Sequence, residues 1–143
     1  MRPVLLVMAA LTVLTGCSGT GSTAVKIPEG VGGYFLVSVN GVLIPGVTAQ
    51  NETIKTEILI GHFGINSDGT FTETRTGRVT VGGGVPSLIT STQSGTWTKT
   101  GSQFALVAGT ATAPVNFVGV YNAGVLTYSA GGSTYLYQIA LPD

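Results

Sequence analysis

The chain has 143 residues, six Lys plus Arg against six Asp plus Glu, one cysteine and 22 glycines, enough for a single domain with a modest core. Apart from Arg2, its bases Lys26, Lys55, Arg75, Arg78 and Lys99 are scattered, which argues against a nucleic-acid partner, because polyanion binding needs clustered cations to displace counterions. With one cysteine there is no internal disulfide, and one histidine without converging cysteines or carboxylates makes no metal site and calls for no cofactor.

Residues 1–16 predict a targeting segment: Arg2, an apolar run of about ten residues from Val4 to Val13, then Leu14, Thr15 and Gly16 before Cys17. That run is half the roughly 20 residues a helix needs to cross a bilayer. Leu14-Thr15-Gly16-Cys17 resembles the bacterial lipobox, and the resemblance implies cleavage before Cys17 and a lipid on the new N-terminal cysteine. By resemblance to the usual sorting rule of such lipoproteins, Ser18 after the cysteine, rather than aspartate, implies the outer membrane of a bacterial cell envelope. Residues 17–32 read as a lipidated tether, since Ser18 to Ala24 has no apolar period, and the globular domain is expected over 33–143.

From Tyr34 onward the pattern is β. Tyr34 to Val39 is rich in β-branched and aromatic residues, and Asn40-Gly41 is a strong hairpin signal because both residues tolerate positive φ. Val42 to Ala49 is the returning strand, bent or at an edge because Pro45 has no N–H to donate. Ile54 to Asn66 and Thr70 to Val81 flank Ser67-Asp68-Gly69, a hairpin loop with glycine at the bulge position. An unbroken register opposes Ile65 to Phe71, Phe63 to Glu73, Gly61 to Arg75, Leu59 to Gly77 and Glu57 to Val79 on one face, the core face near the turn; His62, Ile60 and Ile58 face Thr74, Thr76 and Arg78 on the other. Ser87 to Lys99, Gln103 to Ala108, Pro114 to Tyr121, Gly124 to Ala130 and Thr134 to Leu141 complete about nine extended segments, with no helical period after the leader. Consecutive antiparallel strands favour a meander, and closing it removes edges that a chain with few charges cannot otherwise protect. The expected fold is all-β: a small antiparallel up-and-down β-barrel of about eight strands.

The stretches Gly33 to Pro45, Ser67 to Phe71 and Gly95-Thr96-Trp97 are similar to those of small lipocalin-like barrel lipoproteins of environmental bacteria. The resemblance spans most of residues 33 to 139 and implies fold far more than activity. Gly131-Gly132-Ser133-Thr134-Tyr135 also resembles the Ser-Gly-x-x-Tyr loop of periplasmic lysozyme-inhibitor barrels, with Gly131 where the serine stands.

Catalytic chemistry finds little material. His62 faces outward in this register with no second histidine to share a triad, Asp68 is a turn former, and the triple glycine at 82–84 precedes no helix that could bind phosphate. Glu57 and Glu73, with Lys55 and Arg75, share one face in the unbroken register. Unpaired buried charge is costly, so Glu57, Glu73 and Arg75 are the candidate ligand-binding cluster at an open barrel mouth, unless the register fails beyond Phe63. The tyrosines and Trp97 are expected in the core and at the barrel ends, with Trp97 pointing inward. The functional expectation is a non-enzymatic, lipid-anchored envelope protein binding a small ligand in or at the barrel mouth. The alternative is a structural or protein-interaction module with a solid barrel, and a packed interior is the observation that favours it.

Overall fold

The computed structural model describes residues 28–140; Cys17 and the leader lie outside them. Ten strands follow one another: β1 (Gly32–Val39), β2 (Val42–Leu43), β3 (Gly46–Gln50), β4 (Ile54–Ile65), β5 (Thr70–Val81), β6 (Ser87–Thr100), β7 (Gln103–Thr110), β8 (Ala113–Asn122), β9 (Val125–Ala130) and β10 (Ser133–Ile139). No helix occurs among the described residues. All pairings are antiparallel, in the order β2-β1-β10-β9-β8-β7-β6-β5-β4-β3, and a further β1–β4 pairing closes the sheet. The result is an eight-stranded barrel with β2 and β3 as additions.

Turn chemistry places the strands. Asn40 and Gly41 both take positive φ, the two-residue hairpin geometry that matches strand twist, and Val39 faces Val42 across it. Gly69 takes φ +86° behind Asp68, whose carboxylate accepts from the Thr70 N–H at 2.9 Å. The returning strand expected over Val42 to Ala49 divides at Ile44-Pro45 into β2 on β1 and β3 on β4, which is why ten strands appear where nine segments were read.

The interior follows the period of two. Tyr34, Leu36, Phe63, Ile65, Phe71, Phe104, Leu106, Phe117, Leu126, Tyr128 and Tyr137 are buried there, and Phe63 stacks on Phe71 at 5.4 Å between centroids. Eight strands leave a lumen that side chains can fill, and these aromatics fill it. Two glycines permit close approaches inside the barrel wall: a Cβ on Gly61 would lie 2.8 Å from the Leu36 Cβ, and one on Gly95 would lie 1.9 Å from the Val107 carbonyl oxygen. The folded part begins before the expected residue 33, because Gly30 is buried, Val31 packs against the core and β1 begins at Gly32; residues 17–27 of the expected tether lie outside the described residues.

The turns at 66–69, 101–102 and 123–124 lie at the end where β1 begins, and at this compact end Gly30 packs against Phe104 and Tyr121. At the other the barrel flares. Strands β4, β5 and β6 run 12, 12 and 14 residues, but β1 holds β4 only from His62 to Ile65, and β7 holds β6 only from Gly95 to Thr100. The remainder of β4, β5 and β6, with β3 alongside, projects as a sheet carrying Ile54, Val81, Leu88 and Ile89 in exposed positions.

Candidate functional site

The foot of that projecting sheet carries the chain's most concentrated polar chemistry. Glu73, pointing inward from β5, is 1% exposed, and a buried carboxylate must find partners to offset its lost hydration. It accepts hydrogen bonds from the Tyr128 and Tyr137 hydroxyls on Oε1 and from the Gln93 amide on Oε2. The Arg75 Nε lies 3.2 Å from Oε1, and no buried side-chain nitrogen or oxygen among the described residues lacks a partner. Arg75, two residues along the same face and nearer the opening, lays its guanidinium over the Tyr135 ring at 4.4 Å from the centroid, a cation–π contact that the desolvated setting strengthens.

Burial raises the Tyr128 and Tyr137 hydroxyls above the ordinary tyrosine range, and the neighbouring Glu73 charge pushes them further. Desolvation pulls on Arg75 in the opposite sense, but Glu73 and the tyrosines outweigh it and hold the guanidinium charged. The arrangement is an anchored cation: a buried anion, locked by three neutral donors, fixes Arg75 at the threshold between packed interior and open end. Above it lies a half-open pocket of about 180 Å³ lined by Thr56, Ile58, Arg75, Gly77, Ile89 and Ser91, with Glu57 and Thr76 also in its wall.

Of the three residues expected to cluster, Glu73 and Arg75 meet and Glu57 does not join them. The register runs as expected from the turn to Ile60, then shifts between Ile58 and Ile60, so that Ile58 faces Gly77 and Glu57 faces Arg78. Leu59 is the extra residue of a β-bulge, and a one-residue insertion exchanges the faces of everything beyond it. Ile58 therefore turns inward against the core, while Ile60 stays outward and exposed. Glu57 leaves on the outer face, bound to Arg78 at 2.5 and 3.2 Å with Lys55 at 3.5 Å. The Arg78 hydrogen bonds hold its carboxyl below the usual range. The two glutamates point to opposite faces, so they cannot act as an acid and base on one bond.

His62 is exposed on the outer face opposite Thr74, its ring edge-on to Phe35 at 4.9 Å. Trp97 points inward as expected, but it is only partly buried: it stands edge-on to Phe104 at 5.2 Å and donates its Nε1 proton to the Asn66 carbonyl at 3.0 Å. The sequence alone does not mark Tyr128, Tyr137 or Gln93 as site residues. The signal that could have found them is the pairing of Glu73 with Gln93 once β5 and β6 are aligned, since a buried carboxylate requires donors from its neighbours. No group of three or more His, Cys, Asp or Glu able to hold a metal occurs among the described residues.

Comparison with protein-family models, curated proteins and solved structures finds no match.

Proposed function

We propose that this chain is a non-enzymatic, lipid-anchored module of the bacterial cell envelope that works by contact, presenting the flared end of a solid barrel to a protein partner. The observation that carries the reading is the filled interior: the space a carrier would keep for its ligand is occupied by Tyr34, Phe63, Phe71, Phe104, Leu126, Tyr128 and Tyr137. Binding therefore takes place outside the lumen. The anchor rests on Leu14 to Cys17. The segment leading from Cys17 enters the fold at the compact end, beside Gly30, so a tether there directs the flared end away from the bilayer.

Two measurements test this in cells expressing the full chain. Mass spectrometry of the mature N-terminus should find acylated Cys17, and Cys17→Ser should move the protein out of the membrane fraction; unchanged mass and fractionation would refute the anchor. A photo-cross-linking residue at Leu88 or Ile89, both exposed, should give discrete protein adducts that the same residue at Val118 on the barrel wall does not. Adducts at neither site, or equally at both, would refute the working surface.

The pocket beside Arg75 supports a second reading, an amphiphilic carboxylate held at the mouth with its apolar body over Ile58 and Ile89. Such a ligand raises the melting temperature by mass action, and Ile89→Arg should abolish the rise. A panel of such carboxylates that shifts nothing sinks this second reading.

A further inference from the structure

The hydrogen-bonding phase of β6 can be read from one contact. The Trp97 N–H donates to the Gly69 carbonyl at 2.8 Å, which turns the Trp97 backbone towards β5, and the β5–β6 ladder runs without a register shift from Thr70↔Thr96 to Val79↔Ser87. In an antiparallel ladder the residues bonded to one neighbour alternate with those facing the other way. The odd residues of β6 therefore bond to β5, and the even residues turn N–H and C=O towards the β7 side. β7 takes that side as far as the Gly95↔Ala108 pair, and that pairing also uses the Ser94 carbonyl. Among the described residues no strand pairs with β6 on that side between Ser87 and Thr92. Leu88 and Thr90 thus direct both backbone groups into the open, as does Thr92 next to where β7 leaves. Every residue from Ser87 to Thr92 is exposed.

Exposed edges are usually guarded by lysine, proline or a bulge. The other edge of the projecting sheet, β3, has such a guard: a register shift between Val47 and Ala49. The β6 edge has Pro86 only ahead of its first residue, and no charged residue occurs from Val79 to Thr98. Leu88 is 73% exposed on the outer face and Ile89 47% exposed on the inner. Each face of the open stretch therefore offers an apolar side chain to whatever lies alongside.

We propose that the edge at Leu88 to Thr90 takes up an extended, uncharged segment of a partner protein as an added strand, antiparallel like every other pairing in the barrel. Two residues of the segment exchange hydrogen bonds with Leu88 and with Thr90, and the main chain supplies the affinity. The residue between them is level with Ile89 and points to the same inner face, where Ile89 lines the pocket wall. A β-branched or aromatic side chain suits that position, because cross-strand neighbours on one face pack together. The segment is uncharged because β6 offers no opposite charge, and an ion laid against it would lose hydration with nothing to pair with. The added strand stops short of Gly95, where Ala108 already pairs. This inference deepens the reading of the flared end as a protein-contact surface and rests on it.

Two measurements on the full chain test the added strand. In the purified protein the amides of Leu88 and Thr90 should exchange about tenfold or more faster than those of Ile89 and Ser91, which bond to β5; equal protection at all four would show the edge already taken and overturn the proposal. In cells, a photo-cross-linking residue at Ile89 should give an adduct that Thr90→Pro removes, because the ring deletes the outward N–H, and that Thr90→Val retains, because the N–H stays. Proline is tolerated where its missing N–H faces away from the sheet, so Trp97 fluorescence should be unchanged in both variants, and Leu88→Pro should act as Thr90→Pro does. Peptide mapping should place the adduct in an uncharged stretch of the partner. An adduct that survives both proline variants, one that Thr90→Val also removes, a charged stretch at the cross-link, or a second copy of this chain as the captured protein would each overturn the added strand while leaving contact at the flared end standing. No adduct at all overturns both.

Discussion

Removing Glu73 should cost far more than a glutamate on a barrel rim could. Its side chain is wholly buried, and Glu73→Ala withdraws the acceptor from two buried tyrosine hydroxyls, from Gln93 and from the Arg75 guanidinium at once. Each orphaned buried donor costs about 1–3 kcal/mol, offset in part by the desolvation cost of the carboxylate itself, and breaking a buried ion pair costs about 3–5 kcal/mol overall. Arg75→Ala leaves the anion with three neutral donors, so about 2–3 kcal/mol is expected from the same source. The double variant should be less destabilised than the sum of the two by about 1–3 kcal/mol, because the second deletion removes a group the first had already stranded. Urea unfolding followed by the fluorescence of the single tryptophan measures all three, and with a slope of about 2 kcal/mol per molar the Glu73→Ala midpoint should fall by about 2 M. A Glu73→Ala midpoint within 0.5 M of wild type, or strict additivity in the double variant, would refute the buried network.

Gly95→Ala should prevent folding or cost several kcal/mol, since its Cβ would meet the Val107 backbone, whereas Gly33→Ala, with open space at its Cβ, should stay within about 1 kcal/mol; equal midpoints for the two would show that β6 and β7 do not approach so closely. Trp97→Ala, at a partly exposed site, should cost about 2–3 kcal/mol, below the 3–5 of a fully buried ring, as read by circular dichroism during urea unfolding; no change would place the ring outside the barrel. Tyr34, Tyr128 and Tyr137 are raised, burial being the first cause at each, so the folded state disfavours their ionisation. Their contribution to stability is complete below the unfolded tyrosine value of about 10 and is lost as pH rises above it. Tyrosinate absorbance should therefore show these three ionising only with unfolding, and five tyrosines titrating together without loss of structure would contradict their burial.

Much of this was legible locally. Asn40-Gly41 and Ser67-Asp68-Gly69 name their hairpins because few residues accept positive φ, and the alternation of Phe63, Ile65 and Phe71 with polar residues names the core face and fixes the register as far as Ile60. Beyond that the sequence falls silent, because Ile58, Leu59 and Ile60 are all apolar and suit either face. The bulge that sends Glu57 out to Arg78 and Ile58 inward is decided by how the β4–β5 pair curves into the barrel. The burial of Glu73 likewise depends on tyrosines 55 and 64 positions away, which only closure of the sheet brings within reach. Periodicity determines which residues share a strand face. Which strands end early against their neighbours, and so where β6 runs on beyond its pairing with β7 at Gly95, is set by barrel geometry among segments far apart in the chain.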